Sequence, residues 1–436
     1  MKENYDIQLT TYTNPDIDVR DDLVQRPAIK KEALTEIISN VYDAVKRSGD
    51  QAILDLTERF DKVRLESLIV TKEEIKKFAH KTDEDLKIAI DKAYDNIKTF
   101  HEAQRLTVNK VTTTPGVTCW QEMRPIDRVG LYIPGGTAPL FSTVLMLGVP
   151  AQVAGCREVV LCTPPSREGG IHPAIAYAAS LCDITLIIKA GGAQAVAGMV
   201  LGTGSIPPVY KIFGPGNQFV TAAKMEGLKY GVAIDLPAGP SEVLVYADAS
   251  ADESFIAADL LSQAEHGIDS QVVLVTTDPS LPGRVSQELS RQLPLLSRAN
   301  TAVVSLAHAY AVVFDDVTDA YSFVNQYAPE HLILCTDQAN DHISLVNNAG
   351  SVFLGHYTPE SAGDYASGTN HTLPTAAYAR AYSGVSVDSF VKKITFQQIS
   401  QAGLQDLGPT IITMANNEEL TAHAQAVQIR LDQIKS

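Results

Sequence analysis

Side chains that suit acid–base chemistry or metal binding occur in four short clusters of the sequence. Gln263 and His266 stand three residues apart near the end of the predicted helix AADLLSQAEHG, so both side chains should leave one face of one helical turn. The other three clusters are Glu330 with His331, Asp364 with His371, and Glu418 with His423. Imidazole nitrogen and carboxylate oxygen are common ligands of zinc, which makes a metal site one interpretation of these clusters.

Spacing alone leaves the chemistry of these clusters open. Glu330 and His331 suit an acid–base pair, because both residue types can be tuned toward neutral pH, as proton transfer requires. A cap at the end of a helix explains the same pair, since a histidine there interacts favourably with the helix dipole. The chain has no CxxC pair and no HxxEH motif, so isolated structural histidines remain an alternative to a metal centre.

Four glycine-containing turns follow predicted strands and could surround a ligand. They span residues 134–137, 191–194, 214–217 and 237–241. Glycine lets backbone amides approach a bound group, and a following helix N-terminus favours an anion such as pyrophosphate. The dinucleotide motif GxGxxG is missing, because Gly202 and Gly204 are followed by Ser-Ile-Pro-Pro. A nucleotide would therefore be held in an unusual way, and ordinary tight turns remain the alternative.

Short apolar runs alternate with helical patterns through most of the chain and predict parallel sheets covered by helices. Residues 130–240 contain runs such as EVVLC and ITLIIK, and a second alternating series starts at residue 241. Ligands of such sheets bind beyond the carboxyl ends of the strands, so the glycine turns are expected to line the site. Residues 28 to about 110 show the three- and four-residue apolar spacing of amphipathic helices. The chain from residue 386 is predicted to be helical and to dock on another domain or subunit.

Composition excludes several classes of protein. The 436 residues carry a net charge of −16, which makes nucleic acid or an anionic membrane an unsuitable partner. Hydrophobic residues make up 45% of the chain, enough for a large folded core. The five cysteines form no CxxC pair and their number is odd, which argues against a disulfide framework. With a polar N-terminal segment, we expect a protein without a signal peptide, located in the cytoplasm.

Eight segments in fixed order resemble the histidinol dehydrogenase family over about residues 28–432. They include RVGLYIPGGTAPLFSTVLMLGVPAQVAGC, IKAGGAQAVAG, FGPGNQFVTAAK, DLPAGPSEVLV, DLLSQAEHG, YAPEHL, GDYASGTNHTLPT and LTAHAQAV. Single segments are weak signals, but eight together are highly specific. The resemblance implies a zinc-dependent, NAD-linked four-electron oxidation of L-histidinol through L-histidinaldehyde to L-histidine, the last step of histidine biosynthesis.

The resemblance also implies roles for individual residues. Glu330 and His331 match the catalytic positions. The implied zinc ligands are Gln263, His266, Asp364 and His423. The implied substrate-contacting residues are Ser241, Gln263, His266, His331, Asp364, His371, Glu418 and His423. The implied NAD-contacting residues are Tyr132, Gln194 and Asn217.

The family architecture implies an α/β fold with two tandem Rossmann-like domains that lack the usual glycine motif. On this basis we expect residues 1–27 to form an N-terminal arm. Residues 28–129 with 241–385 should form the domain that carries zinc and substrate, and residues 130–240 the NAD domain. The helical segment 386–436 should cross to the partner of an intertwined homodimer, so that the chains share their active sites, with one zinc ion per subunit.

Three alternatives remain at this point. A related zinc- and NAD-dependent enzyme could oxidise another small polar alcohol, such as a sulfonated diol, although Glu418 and His423 suit a cationic, imidazole-bearing substrate better. A metallohydrolase that uses zinc-bound water would turn over without nicotinamide. A two-lobed solute-binding protein would bind its ligand without turnover, although its usual secretory signal is missing here.

Overall fold

The computed structural model describes residues 5–26, 31–105, 107–135, 139–237 and 239–435. The chain forms two compact units, a larger one of residues 1–103 with 126–390 and a smaller one of residues 104–125 with 391–436. The strands in chain order are β1 (Thr10–Thr13), β2 (Ile69–Val70), β3 (Val111–Thr114), β4 (Val117–Pro125), β5 (Arg128–Tyr132), β6 (Glu158–Thr163), β7 (Leu186–Lys189), β8 (Lys211–Phe213), β9 (Ala233–Ile234), β10 (Glu242–Ala247), β11 (Gln271–Thr276), β12 (Tyr310–Val313), β13 (His331–Cys335), β14 (Ser351–Leu354) and β15 (Val391–Ile399). The α-helices are α1 (Ile17–Leu23), α2 (Lys31–Ser48), α3 (Asp50–Asp61), α4 (Lys72–His80), α5 (Glu84–Glu102), α6 (Phe141–Ala154), α7 (Pro173–Leu181), α8 (Gly192–Leu201), α9 (Gln218–Gly227), α10 (Glu253–Ala264), α11 (Leu281–Gln292), α12 (Ala299–Leu306), α13 (Val317–Tyr327), α14 (Glu360–Tyr365), α15 (Gln401–Asn417) and α16 (Thr421–Lys435).

The first sheet of the larger unit has the strand order β2-β7-β6-β5-β8-β9. Strands β5 to β9 are parallel, and the short edge strand β2 is antiparallel to β7. Val160 and Ile187 are fully buried because helices cover both faces of the sheet. The strand order reverses between β5 and β8, which is where doubly wound sheets bind ligands.

The second sheet has the order β1-β12-β11-β10-β13-β14, and all its strands are parallel. Its order reverses between β10 and β13, so the five parallel strands of the first sheet and the last five strands of the second have the same order. The predicted α/β fold with two tandem Rossmann-like sheets is confirmed. The N-terminal arm also contributes to the sheet, because Thr10–Thr13 pair with β12 and extend its edge.

The amphipathic helices α2–α5 pack on the first sheet. Ile38 and Ile53 lie in one apolar cluster with Val196 of α8, and Ile90 and Ile97 lie in another cluster that contains α6. The assignment of residues 28–129, which include these four helices, to one domain with residues 241–385 stays a prediction. Their apolar stripes show that they are half-buried, but such stripes carry no information about which sheet covers them.

The smaller unit combines an antiparallel sheet, of order β15-β4-β3, with the helices α15 and α16. The predicted helical character of residues 386–436 is confirmed for these two helices. Strand β15 was not predicted, because its sequence VKKITFQQI is mostly polar and exposed and shows no clear apolar alternation. Within the part of the chain that the structure describes, no helix is both long and apolar enough to cross a membrane.

Candidate active site

Glu330 and His331 lie at the amino end of a central strand of the second sheet. His331 is the first residue of β13 and pairs with Val243 of β10. Helix α13 already ends at Tyr327, which excludes the interpretation of the pair as a helix cap. Both side chains are buried, at 6% and 4% exposure. We expected ligands at the carboxyl ends of the strands, but in this sheet the cluster of ionisable groups occupies the opposite edge.

The peptide groups of Glu242, the first residue of β10, orient both side chains. The Glu242 N–H donates a 2.9 Å hydrogen bond to Oε2 of Glu330, and the Glu242 carbonyl oxygen accepts a 3.1 Å bond from Nδ1 of His331. Because a carbonyl oxygen can only accept, Nδ1 of His331 carries the proton. In the neutral ring Nε2 therefore has the free lone pair, and it lies 3.4 Å from Oδ1 of Asp364.

Two further carboxylates approach His331 from helix α14. Glu360 is 1% exposed, and its Oε1 lies 3.5 Å from Nδ1 of His331. One ligand atom from each of His331, Glu360 and Asp364 falls within 4.8 Å of the others. Sequence reasoning missed Glu360. Its spacing of four residues from Asp364 places both on one helix face and could have indicated it.

The carboxylates and the imidazole perturb one another strongly. Burial alone would lower the pKa of His331, but Glu360, Glu330 and Asp364 outweigh this effect and raise that pKa well above its ordinary value. Burial raises the pKa of Glu330 to about 8 and raises the pKa of Glu360 well above its usual range. Burial acts in the same direction on Asp364, but the positive charge of His331, whose Nε2 lies 3.4 Å from Asp364 Oδ1, overcomes it and lowers the Asp364 pKa. Opposed shifts of this kind are typical of functional sites.

Gln263 and His266 lie at the carboxyl end of helix α10. The helix ends at Ala264, so His266 stands two residues beyond it, with its N–H bonded to the Gln263 carbonyl at 3.2 Å. The Gln263 side chain is fully buried, yet neither its Oε1 nor its Nε2 has a hydrogen-bond partner among the described residues. The His266 side chain is partly exposed to solvent. Burial of the rest of the imidazole lowers its pKa, and the negative charge of Asp364 offsets part of this decrease.

His371 connects the acidic cluster to the first sheet. Its Nδ1 donates to the main-chain oxygen of Asp364 at 2.9 Å, so Nε2 accepts from the Thr143 hydroxyl at 3.1 Å. Thr143 belongs to the first turn of α6 and is almost fully buried. Ser241 directly precedes Glu242, and its carbonyl accepts the N–H of Gln271 at 3.0 Å. The structure thus brings His371 and Ser241 to the surroundings of Glu330 and His331.

The predicted NAD-contacting residues lie at the carboxyl edge of the first sheet. Tyr132 ends β5, is 4% exposed and accepts the Gly192 N–H on its hydroxyl at 3.0 Å. Gln194 is buried in α8, whereas the exposed Asn217 caps α9 by accepting the N–H groups of its first turn. Burial raises the pKa of Tyr132 to about 12.

The turn after β8 requires glycine at Gly214. Its φ is +127°, and a Cβ there would lie 2.1 Å from the Tyr132 carbonyl oxygen. This close approach brings the turns that follow β5 and β8 together at the reversal of strand order. Of the other predicted glycine turns, Gly136, Thr137 and Ala238 lie outside the described residues.

Glu418 and His423 belong to the smaller unit. Glu418 directly follows α15, and His423 lies in the first turn of α16. Both side chains are exposed to solvent.

The donor atoms of the larger unit fit a metal ion. Several buried polar atoms of helix α10, strand β13 and helix α14 have no hydrogen-bond partner in the described ranges: Gln263 Oε1 and Nε2, His331 Nε2, both carboxylate oxygens of Glu360, and Asp364 Oδ1. Buried polar atoms are almost always paired, so a group of unpaired ones indicates an additional ligand. The set of nitrogen and oxygen donors is one that zinc accepts.

A sequence model of the family described as histidinol dehydrogenase matches residues 24–431. The chain belongs to the histidinol dehydrogenase family. A histidinol dehydrogenase of Bacteroides thetaiotaomicron is 56% identical over 414 residues, which cover 95% of this chain and 97% of the relative. One from Photobacterium profundum is 51% identical, with 95% and 94% of the two chains covered. The crystal structure of histidinol dehydrogenase from Elizabethkingia anophelis superposes with a TM-score of 0.96 at 50% identity, covering 99% of this chain and all of the other.

Proposed function

We propose that this chain oxidises L-histidinol to L-histidine in the cytoplasm by way of bound L-histidinaldehyde, with NAD+ as the oxidant. Membership of the histidinol dehydrogenase family is the observation that carries this proposal. The pairing of His331 with Glu330, two buried acid–base groups held by the main chain of one residue, supports it. Two NAD+ are consumed per histidinol, because each accepts one hydride.

We further propose that Gln263, His266 and Asp364 hold one zinc ion with His423 of the partner subunit. The unpaired side-chain atoms of Gln263 and Asp364 support this ligand set. Bound there, zinc would orient the amino and imidazole nitrogens of the substrate and, by its positive charge, lower the pKa of the neighbouring His331. Ser241, His371 and the partner subunit's Glu418 would contact the same substrate.

The chain's own groups account for the proton transfers. In its neutral form His331 presents Nε2, and this atom would accept the alcohol proton in the first oxidation. Glu330 would then remove a proton from the water that adds to the aldehyde, and the hydrate undergoes the second oxidation. Tyr132, Gln194 and Asn217 would hold NAD+ at the reversal of strand order in the first sheet. The substrate would then lie between the two sheets, both of which belong to the larger unit.

The hydrogen-bonding groups of the site suit a substrate with nitrogen donors. Glu330, Glu360 and Asp364 surround His331, so this cluster offers several carboxyl oxygens that can accept hydrogen bonds. The amine and the imidazole of histidinol carry N–H groups, whereas the sulfonate of a sulfonated diol has only acceptor oxygens.

The test of the proposed function is NADH formed per histidinol, with and without a chelator. We expect two NADH per substrate, and loss of turnover when zinc is removed. Turnover of histidinol without NAD+ would instead support a metallohydrolase, and binding without turnover would support a solute-binding protein. NADH formation from a sulfonated diol but not from histidinol would overturn the substrate assignment.

Replacement of His266 by asparagine should remove zinc and leave the fold intact. Zinc affinity should fall at least about 100-fold, because one ligand of the ion is lost. Elemental analysis after dialysis gives zinc content, and thermal unfolding tests the fold. The exposed His308 provides a matched control, since His308→Asn should keep its zinc. A His266→Asn protein with full zinc occupancy would contradict the ligand assignment.

A mixture of two inactive variants should regain activity if the subunits share their active sites. We expect co-refolded His266→Asn and His423→Asn chains to reach about a quarter of wild-type activity, because about half the dimers are mixed and each has one intact site of two. Co-refolding His266→Asn with His331→Asn is the control, since both changes lie in the larger unit and no intact site can form. A first mixture as inactive as this control would show that each C-terminal segment serves its own chain.

A further inference from the structure

The orientation of both proposed catalytic groups depends on one residue, Glu242. Its N–H is bonded to the Glu330 carboxylate and its carbonyl oxygen to the His331 ring. The pairing of β10 with β13 begins one residue later, at Val243. Glu242 therefore lies at the end of this ladder, while on its other side it pairs with Gln271 of β11. An interaction of the Glu242 side chain adds to this backbone pairing.

That interaction is a buried ion pair between the Glu242 side chain and Arg26 of the N-terminal arm. Nε and Nη2 of Arg26 donate to the two Glu242 carboxylate oxygens, each at 3.0 Å. The two side chains are 9% and 1% exposed. Such a two-point contact fixes the carboxylate in direction as well as in distance. The Ala376 N–H donates a further bond of 2.8 Å to Oε1 of the same group.

Arg26 is itself held on several sides. It donates to the carbonyl oxygens of Tyr327 at 2.7 Å and Val24 at 2.6 Å. Its guanidinium carbon lies 3.6 Å from the centre of the Tyr327 ring. Tyr327 ends helix α13, three residues before Glu330. Arg26 thus connects the carboxyl end of α13 to the first residue of β10, the two segments that flank the proposed catalytic pair.

We propose that Arg26 is a positioning residue, which acts through Glu242 to hold Glu330 and His331 in their reactive orientation. The inference rests on the proposed function, because it requires these two residues to be catalytic. A buried ion pair is weak evidence of a role in stability, since desolvation of the charges offsets much of their attraction. Its place beside the catalytic pair, in contrast, gives it a direct effect on geometry. A misplacement of about 1 Å can cost a reaction about 100-fold in rate.

Arg26→Lys is the first test, because lysine keeps the charge but cannot form the two-point contact. We expect kcat for histidinol oxidation to fall about 10- to 100-fold, while KM changes much less and zinc content stays at the wild-type level. Arg20→Lys is the matched control. Arg20 lies in the same arm, donates to the Pro15 carbonyl and lies over the Phe314 ring, away from the catalytic pair. Its replacement should leave kcat unchanged.

Glu242→Gln is the second variant, and it tests whether Arg26 acts through Glu242. We expect a similar fall in kcat, and the double variant with Arg26→Lys should lose little more than either single one, because both changes break one interaction. Multiplied losses in the double variant would show that Arg26 does not act through Glu242. If Arg26→Lys does not fold, an unchanged kcat in Glu242→Gln overturns the proposal.

Assay of the wild-type protein separates the proposed function from the role of Arg26. A wild type that forms no NADH from histidinol would overturn the proposed function and this inference together. An active wild type with an Arg26→Lys variant of undiminished kcat would overturn the role of Arg26 alone. A roughly 10- to 100-fold rise of KM in Arg26→Lys with no change in kcat would also contradict the role of Arg26. A positioning residue acts on the reacting groups after the substrate has bound, so its loss should lower kcat.

Discussion

His331→Asn should lower kcat for both oxidations by about 100- to 10,000-fold, the range typical of general acid–base groups. The hydrogen bond that Nδ1 of His331 donates to the Glu242 carbonyl oxygen orients the ring. Nε2 is thereby left to exchange protons with the substrate. Asparagine can keep a hydrogen bond to that carbonyl but has no basic atom to replace Nε2. Steady-state NADH formation from histidinol, and separately from histidinaldehyde, measures the two losses.

The zinc content of His331→Asn shows whether His331 acts as a base or as a metal ligand. His331, Glu360 and Asp364 form a group that could hold an ion by themselves. If His331 is the base, His331→Asn retains zinc while His266→Asn loses it. The reverse pattern of zinc contents would assign the ion to the three-residue group and contradict the proposed roles. The buried His342, which is bonded to the Tyr321 hydroxyl at 3.0 Å, is a suitable control, because His342→Asn removes a similar ring away from the site.

The alternation of apolar strands and helices was enough to predict both parallel sheets. Period and length decide whether a run forms a strand or a helix, and these runs were short, apolar and bounded by glycine. The same patterns could not place helices α2–α5, because an apolar stripe is satisfied equally well by either sheet. The sequence therefore predicts the strands and helices themselves but not which sheet these four helices cover.

Glu360 shows why the site itself was only partly accessible to sequence reasoning. A glutamate in a short helix is normally solvated, and its sequence neighbours give no sign that both its oxygens are buried. Its position depends on the pairing of β13 with β14, which precedes helix α14 and brings that helix to His331. Glu242 was missed for a similar reason, since its main-chain atoms carry the contacts and main-chain atoms leave no trace in residue type.

Glu330→Gln should separate the two oxidations. We expect the oxidation of histidinaldehyde to fall about 100- to 10,000-fold and that of histidinol much less, because only the second step needs a base for water. Burial raises the Glu330 pKa to about 8, and a carboxylate with a pKa in this range is a stronger base than an ordinary one. Glutamine keeps an oxygen to accept the Glu242 N–H, so the orientation of His331 should survive.

NADH formed per histidinol in a single turnover reports this separation directly, since the ratio should fall from two toward one as aldehyde accumulates. Glu253→Gln is the control. Glu253 begins helix α10, at the opposite end from Gln263, and in the described part of the chain it forms only a 3.8 Å contact with Arg284. Equal losses in the two oxidations would contradict a role in water activation. They would instead indicate that the Glu330 charge supports His331 throughout the reaction, because the carboxylate raises the pKa of that imidazole and glutamine cannot.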